Sequence, residues 1–482
     1  MPNFSISAGP IRITIRASIS VSGDPQSSVR RRLVLRLAAA VGTVAAVAAV
    51  VATVVALVSV LGGGGGSHGG SRREAAFSPA VQRTGREPTG FVVTFRYRDP
   101  AATSVQLTGE WYFSSPGHTT TSSSQGLSPS QWKPGDFPIG WPNTSLMADG
   151  WPAVNMKIDR ATGVWSYTSP LPSGDFNYGF LVNCPSAVGR DAGFTNCPEL
   201  SDPSNPPWND HRGINIGSVQ TVSQVYVPSD PAFHTVNYSW QAPTHPRGAL
   251  RDVTCPQNLG GSPTLQGFNR LAIYTPPGYN PRRSTPYPTL YLAAGGDGNE
   301  LDWSTQADGG NILDNLIDRR EVKPMVVVMT AFGVQDFCFQ DDQSAYDQNL
   351  VSTVIPYVQS HYHVAKEQSE RAFAGLDCGG AFAASLLVGY THDFGYFGIM
   401  SPEPPMSAVS GAQAKAIERV GVLLGGGKQD PLHSDALQEL ASLQQARHTV
   451  FTDFVDGGHD WHVWRILLRD FLMRVAFKPA RG

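Results

Sequence analysis

Three hydrophobic rhythms follow one another along the chain. The first has no period. From Leu37 to Leu61 no charge interrupts a run of Ala, Val, Leu, Gly, Thr and Ser. That run of roughly 25 residues exceeds the ~20 a helix needs to cross a bilayer, whereas the apolar part of a secretory signal is only about 7–15. The pattern predicts a retained transmembrane anchor over 37–61, with a cleaved signal of long core as the competing reading. Arg30, Arg31, Arg32 and Arg36 precede the run, and Arg72 and Arg73 follow it. Positive charge crowds the N-terminal side, which predicts a cytoplasmic tail over 1–36 and soluble domains outside the membrane. Met1 to Ser28 is polar without clear period and reads as a disordered tail. The Gly-rich stretch within 62–89 (GGGGGSHGGS from Gly62) reads as a flexible linker.

The second rhythm has period two. Phe91-Val-Val-Thr-Phe-Arg-Tyr-Arg98 alternates apolar and polar positions, as a half-buried strand requires. Ser104 to Thr108, Val164 to Thr168 and Phe176 to Val182 repeat it, with Pro and Gly between. Short strands separated by turn clusters predict a small all-β sandwich over 90–228. Thr119 to Asn143, rich in Ser, Gly and Pro, reads as an exposed loop. This half holds Trp111, Trp132, Trp141, Trp151, Trp165 and Trp208. Their faces suit either an ordinary core or stacking against sugar rings.

After a connector at 229–267, the third rhythm alternates strands with helices through 268–482. Strands are expected at Leu271–Tyr274, Thr289–Ala293, Met325–Met329, Arg371–Leu376, Val420–Leu424 and Val450–Phe454. Helices are expected at Asn311–Arg319, Tyr346–Tyr362, Ala381–Tyr390, Ser434–Ala446 and His462–Val475. Met325 to Met329 is apolar throughout, as for a strand covered on both faces. The alternation predicts an α/β fold with a mostly parallel sheet sandwiched by helices. In such sheets ligands bind beyond the C-terminal strand ends.

The polar landmarks fall at those ends. R-A-F-A-G-L-D-C-G-G, Arg371 to Gly380, has the layout of a nucleophile elbow: strand, one polar residue among glycines, helix. An elbow strains its central residue, so its neighbours must be small. Gly295 and Gly296 follow a strand and could aim backbone N–H groups at an oxyanion, with the N–H of Cys378 as a second donor. Asp430 and His459 also follow strands. Elbow, acid and histidine thus stand in the chain order of α/β-hydrolase triads. Each landmark alone is equally an ordinary turn, cap or loop residue. His361, His363 and His462 read as structural or surface residues.

Composition narrows the classes. A formal charge of -3 shows no basic excess, which argues against nucleic acid as a partner. The five cysteines lack metal-ligand spacing, and no metal or cofactor is expected. An extracytoplasmic setting permits disulfides, and Cys184 and Cys197, flanking one Gly- and Asn-rich loop, are expected to pair.

Residues 268 to about 477 resemble the esterase D type of α/β-hydrolase, a group that includes enterochelin esterases, feruloyl esterases and mycolyltransferase-like proteins. The resemblance is carried by Y-T-P-P-G-Y from Tyr274, Y-P-T-L-Y-L-A-A-G-G-D-G-N-E-L-D-W, L-V-S-T-V-I-P-Y-V, R-A-F-A-G-L-D-C-G-G and G-G-H-D-W-H-V-W. The preceding strands, with V-T-F-R-Y-R-D-P, S-V-Q-L-T-G-E-W and S-D-P-S-N-P-P-W-N, resemble immunoglobulin-like early-set modules. The resemblance implies Asp430 as acid, His459 as base, and Gly295, Gly296 and Cys378 as the oxyanion region. The chain departs from the family at two places. Ala294 stands where a His is frequent, and Asp377 stands where the family has the nucleophilic Ser.

The second departure alters the chemistry. A Ser hydroxyl attacks an acyl carbon once His removes its proton. A carboxylate attacking an ester forms a mixed anhydride, which reverts easily. It is better suited to displacement at a saturated carbon, as in the haloalkane dehalogenases and epoxide hydrolases, with His459 activating water for the second step. Three expectations follow: an esterase-family hydrolase with weak or lost ester hydrolysis, an inactive pseudo-esterase that binds a ligand, glycan or partner at the surface, and an Asp-nucleophile hydrolase. Cys378 as a substitute nucleophile is disfavoured, because the residue after an elbow centre points into the fold.

Overall fold

The structure is a computed structural model. It describes residues 4–8, 11–15, 77–116, 126–139, 153–184, 199–208, 222–233, 236–255, 270–296, 298–331, 340–403, 409, 411–446 and 448–478. The chain divides into two compact units, Met1–Glu74 and Ala75–Gly482.

In the first unit β1 (Phe4–Ala8) pairs antiparallel with β2 (Ile11–Ile15), Phe4 opposite Ile15. This corrects the expectation of a tail without structure. F-S-I-S-A and I-R-I-T-I each alternate, a period-two signal short enough to be lost among polar neighbours. The expected anchor at 37–61 lies outside the described residues. Among the described residues no helix is long and apolar enough to cross a membrane.

The second unit begins with a β-sandwich. Its strands are β3 (Ala80–Arg83), β4 (Phe91–Arg98), β5 (Val105–Gly109), β6 (Phe113–Ser114), β7 (Phe137–Pro138), β8 (Ala153–Asn155), β9 (Lys157–Asp159), β10 (Val164–Pro170), β11 (Gly174–Val182) and β12 (Ser223–Val227). Two antiparallel sheets, ordered β3-β4-β10-β9 and β12-β11-β5-β8, close over one core. Phe91, Val93 and Phe95 from one sheet meet Leu107, Phe176, Tyr178 and Phe180 from the other. Burial of each such side chain contributes about 1.5–3 kcal/mol. Trp111, Trp132 and Trp165 belong to this core, while Trp208 stays half-buried at the edge. Trp141 and Trp151 lie outside the described residues. β11 is buried along almost its whole length, because its outer face meets the next domain.

That domain is built on eight strands in the order β13-β14-β16-β15-β17-β18-β19-β20. They are β13 (Ala249–Thr254), β14 (Arg270–Thr275), β15 (Thr289–Ala293), β16 (Val326–Thr330), β17 (Arg371–Leu376), β18 (Tyr396–Met400), β19 (Gly421–Gly427) and β20 (Phe451–Val455). From β16 to β20 along the sheet the pairing is parallel, and β14 alone runs against the other strands, antiparallel to both β13 and β16. Helices α1 (Asp302–Thr305), α2 (Gly309–Asp318), α3 (Gln340–Asn349), α4 (Ile355–His361), α5 (Cys378–Gly389), α6 (Ala412–Ile417), α7 (His433–Gln445) and α8 (Trp461–Arg474) flank it. Alternate residues of one strand serve opposite cores: Phe373 of β17 joins one cluster, and Ala372, Ala374 and Leu376 join the other. The expected α/β fold, a mostly parallel sheet between helices, is present.

Two details differ from expectation. The connector at 229–267 contributes β13, an edge strand whose mostly exposed sequence A-L-R-D-V-T carries few apolar positions. The long helix expected over Tyr346–Tyr362 starts earlier and is interrupted by a π turn at Leu350–Val354. Pro356, at the start of α4, cannot donate to the carbonyl four residues back and crowds it, which favours the wider turn.

Candidate active site

β17 delivers the chain to Asp377, which sits at φ 54 and ψ -119 before α5 begins at Cys378. A side-chain-bearing residue adopts such a backbone only when its surroundings hold it there. Here the Asp377 N–H donates to Met400 O at 2.9 Å and its carbonyl accepts from Ala381 N at 3.0 Å. The glycines make room. A Cβ on Gly379 would stand 2.6 Å from the carbonyl oxygens of Ala293 and Ala294. α5 can therefore lie close under the end of β15.

Asp430 follows β19, and its Oδ1 accepts from Leu432 N at 2.8 Å. His459 lies in the turn between β20 and α8. Its Nδ1 is 3.1 Å from both Asp430 oxygens, and its ring stands edge-on to Trp464 at 4.8 Å. On the other side Nε2 is 3.9 Å from Asp377 Oδ2. The structure thus brings Asp377, His459 and Asp430 into one line, with the imidazole between two carboxylates.

Gly295 and Gly296 border Asp377 directly. Gly296 N–H donates to Asp377 Oδ2 at 3.1 Å, and a Cβ on Gly295 would come within 2.6 Å of the same oxygen. The Asp377 carboxylate therefore occupies the Gly296 N–H. Cys378 is buried and disulfide-bonded, so it offers no thiol nucleophile. Cys184 is also disulfide-bonded, and its expected partner Cys197 lies outside the described residues. Cys255 is the free cysteine among the described residues.

Two residues near the triad were not singled out from sequence. Glu403 donates its N–H to Asp377 O at 3.4 Å. Burial, then the charge of Asp377, raises its carboxyl pKa, although His459 opposes this. The Ser401 hydroxyl accepts from Trp464 Nε1 at 3.2 Å and helps stabilise the Asp430 carboxylate. Both follow β18, a strand the sequence reading did not recognise. His361 bonds to Tyr357 O on the surface, His363 to Arg283 O, and His462 packs on Tyr238.

The charges decide what the site can do. Burial alone would lower the His459 pKa, but the carboxylates of Asp430 and Asp377 outweigh it and raise it to about 10. Burial likewise pushes Asp430 up, and the charge and hydrogen bond of His459 more than reverse this, so its pKa is lowered. At neutral pH the imidazole is a cation with both nitrogens engaged by negative charge. No group of three or more His, Cys, Asp and Glu able to hold a metal ion is present among the described residues.

The family described as "Putative esterase" matches residues 262–475. An endo-1,4-beta-xylanase/feruloyl esterase of Xylanibacter ruminicola is 32% identical over 136 residues, covering 27% of this chain and 19% of that protein. Endo-1,4-beta-xylanase Y of Acetivibrio thermocellus is 30% identical over 144 residues, covering 28% and 13%. The chain thus spans less than a fifth of these two curated relatives. Among solved structures, the enterobactin esterase of Shigella flexneri aligns over 82% of this chain and 95% of its own, with TM-score 0.49 and 20% identity. Residues 262–475, less than half of the chain, are thus similar to the esterase family, on a sheet and helices of α/β-hydrolase type.

Proposed function

We propose that the chain is a membrane-tethered, extracytoplasmic esterase-family protein whose ester hydrolysis is weak or lost, and whose cleft serves to bind rather than to cleave. The tether rests on the uncharged run 37–61 and the arginines before it. The immunoglobulin-like early-set reading of the sandwich rests on its two packed antiparallel sheets. The observation that carries the catalytic reading is the seat of the Asp377 carboxylate. It takes the Gly296 N–H at 3.1 Å and helps keep His459 protonated from 3.9 Å away. One side chain thus fills the oxyanion position and idles the base. General-base catalysis and an oxyanion donor each contribute about 10²–10⁴-fold and 10²–10³-fold to acyl transfer.

The test uses p-nitrophenyl acetate and methyl ferulate, the latter chosen for the feruloyl esterase relative. The wild type should turn over both barely above background, and Asp377→Ser should gain at least ~10²-fold in kcat/KM. Robust wild-type turnover that persists in Asp377→Asn overturns the reading.

The same Gly296 contact favours a second reading. An N–H holding one carboxylate oxygen leaves the other aimed for displacement at a saturated carbon. Forming that alkyl ester would neutralise Asp377 and remove one of the two charges that keep His459 protonated, so the base would appear only after the first step. Trapping an alkylated Asp377 by mass spectrometry from a haloalkane or epoxide panel would establish it, and an unmodified peptide across the panel would exclude it.

A further inference from the structure

A cavity of about 220 Å³ lies where the sandwich, the connector and the α/β domain meet. None of its lining residues belongs to the Asp377 site. Its size falls below the ~300–1,000 Å³ of sites for drug-sized ligands and suits one small ring. Trp208 and Tyr226 supply aromatic surface from the sandwich side, and Arg247 enters from the connector. Asp308 and Asn311 supply polar groups from the start of α2. Asp175 lines the cavity from β11. It is only 5% exposed, and its Oδ2 accepts no hydrogen bond, the Arg465 Nη2 standing 3.5 Å away.

The lining selects its ligand by elimination. With Asp314, three carboxylates face this space, which disfavours an anion. The Arg247 guanidinium in the same wall disfavours a cation. An apolar ligand would leave the buried Asp175 Oδ2 without a partner, at about 1–3 kcal/mol. A ligand with one apolar face and many hydroxyls satisfies both the aromatic and the polar walls. Trp208 stays half-buried outside the sandwich core and packs with Tyr226 against the α/β core, so one side of each ring is held in place.

We propose that this interdomain cavity binds a single neutral sugar ring, its CH face against Trp208 and Tyr226 and its hydroxyls on Asp175, Asp308 and Asn311. Burial raises the carboxyl pKa values of Asp308 and Asp314.

The full-length chain would be titrated with glucose, galactose, mannose and xylose, using saturation-transfer NMR and tryptophan fluorescence. At least one sugar should bind with a Kd on the order of 1 mM, as a contact surface this small allows. Trp208→Ala and Asn311→Ala should each weaken it about tenfold or more, a loss typical of a buried anchor. If Trp208→Ala fails to fold, Asn311→Ala, a half-buried side chain at the helix start, carries the test alone. Asp377→Ser should bind as the wild type does. Absence of binding by all four sugars overturns the proposal, and so does binding that survives both cavity variants or is lost in Asp377→Ser. Because the readout is binding at a cavity apart from the elbow, its failure leaves the esterase reading untouched, and the reverse holds.

Discussion

A carboxylate at position 377 puts a second negative charge 3.9 Å from His459 Nε2. The charge of Asp430 is the larger cause of the raised imidazole pKa, and Asp377 adds to it, so that it stands at about 10 despite burial. The linkage follows in sign. A histidine whose folded pKa is raised stabilises the fold fully below its ordinary value of 6.5 and loses that contribution as pH rises through about 10. Wild-type Tm should therefore fall between pH 7 and 10, and Asp377→Ser should show a smaller fall. The His459 ring resonances, followed by NMR, should titrate near 10 in the wild type and lower in Asp377→Ser. An unchanged titration in the variant would contradict the role given to Asp377. The acid and the histidine were legible because each follows a strand next to glycines, in the order the chemistry needs. Glu403 and Ser401 were not, because Y-F-G-I-M before them has no polar alternation and too short a run to declare itself a strand.

At the scale of elements, α5 shows how one residue type does opposite things at the two ends of a helix. Gly379 is wedged under β15, and a Cβ there would meet two carbonyl oxygens at 2.6 Å. Gly389, in the last turn of the same helix, has nothing within 4 Å. Gly379→Ala should destabilise by about 1–3 kcal/mol through overpacking, and it should disturb the Asp377 backbone as well. Gly389→Ala should stabilise by about 0.4–1 kcal/mol by restricting the unfolded chain. Denaturant unfolding of the two variants checks both signs, and equal shifts would refute the packing argument. The central strands could be read from sequence because a strand buried on both faces is apolar throughout. β13 could not, since an edge strand exposed on one side offers only Leu250 and Val253. The π turn was also hidden. Its cause is Pro356, yet a proline early in a helix reads as an ordinary start.

At the largest scale, a buried cation joins the sandwich to the α/β domain. Arg465 of α8 is 0% exposed, and its Nη1 donates to Asp175 O of the sandwich at 2.7 Å and its Nε to Ala307 O at 3.2 Å. Nη2 lies 3.5 Å from the carboxylates of Glu110 and Asp175. Burial raises the Glu110 pKa to about 7 and that of Asp175 to about 6, with Arg465 opposing in both cases. No motif announces this contact. It couples positions 355 residues apart, and in sequence Arg465 is simply one charge on a helix. Carboxyls with raised folded pKa values favour the protonated form, so their cost is absent below their ordinary values near 4 and grows as pH rises through 6 to 7. Arg465→Leu removes the counter-charge and lets those pKa values climb further. Breaking a buried pair costs about 3–5 kcal/mol, because the partners are left uncompensated. The loss should therefore be small near pH 5, where Glu110 and Asp175 can be neutral, and approach that range at pH 8. Thermal unfolding of wild type and Arg465→Leu at the two pH values measures the difference. A deficit of equal size at both would mean that Arg465 joins the domains by packing and backbone hydrogen bonds, and that its charge is incidental.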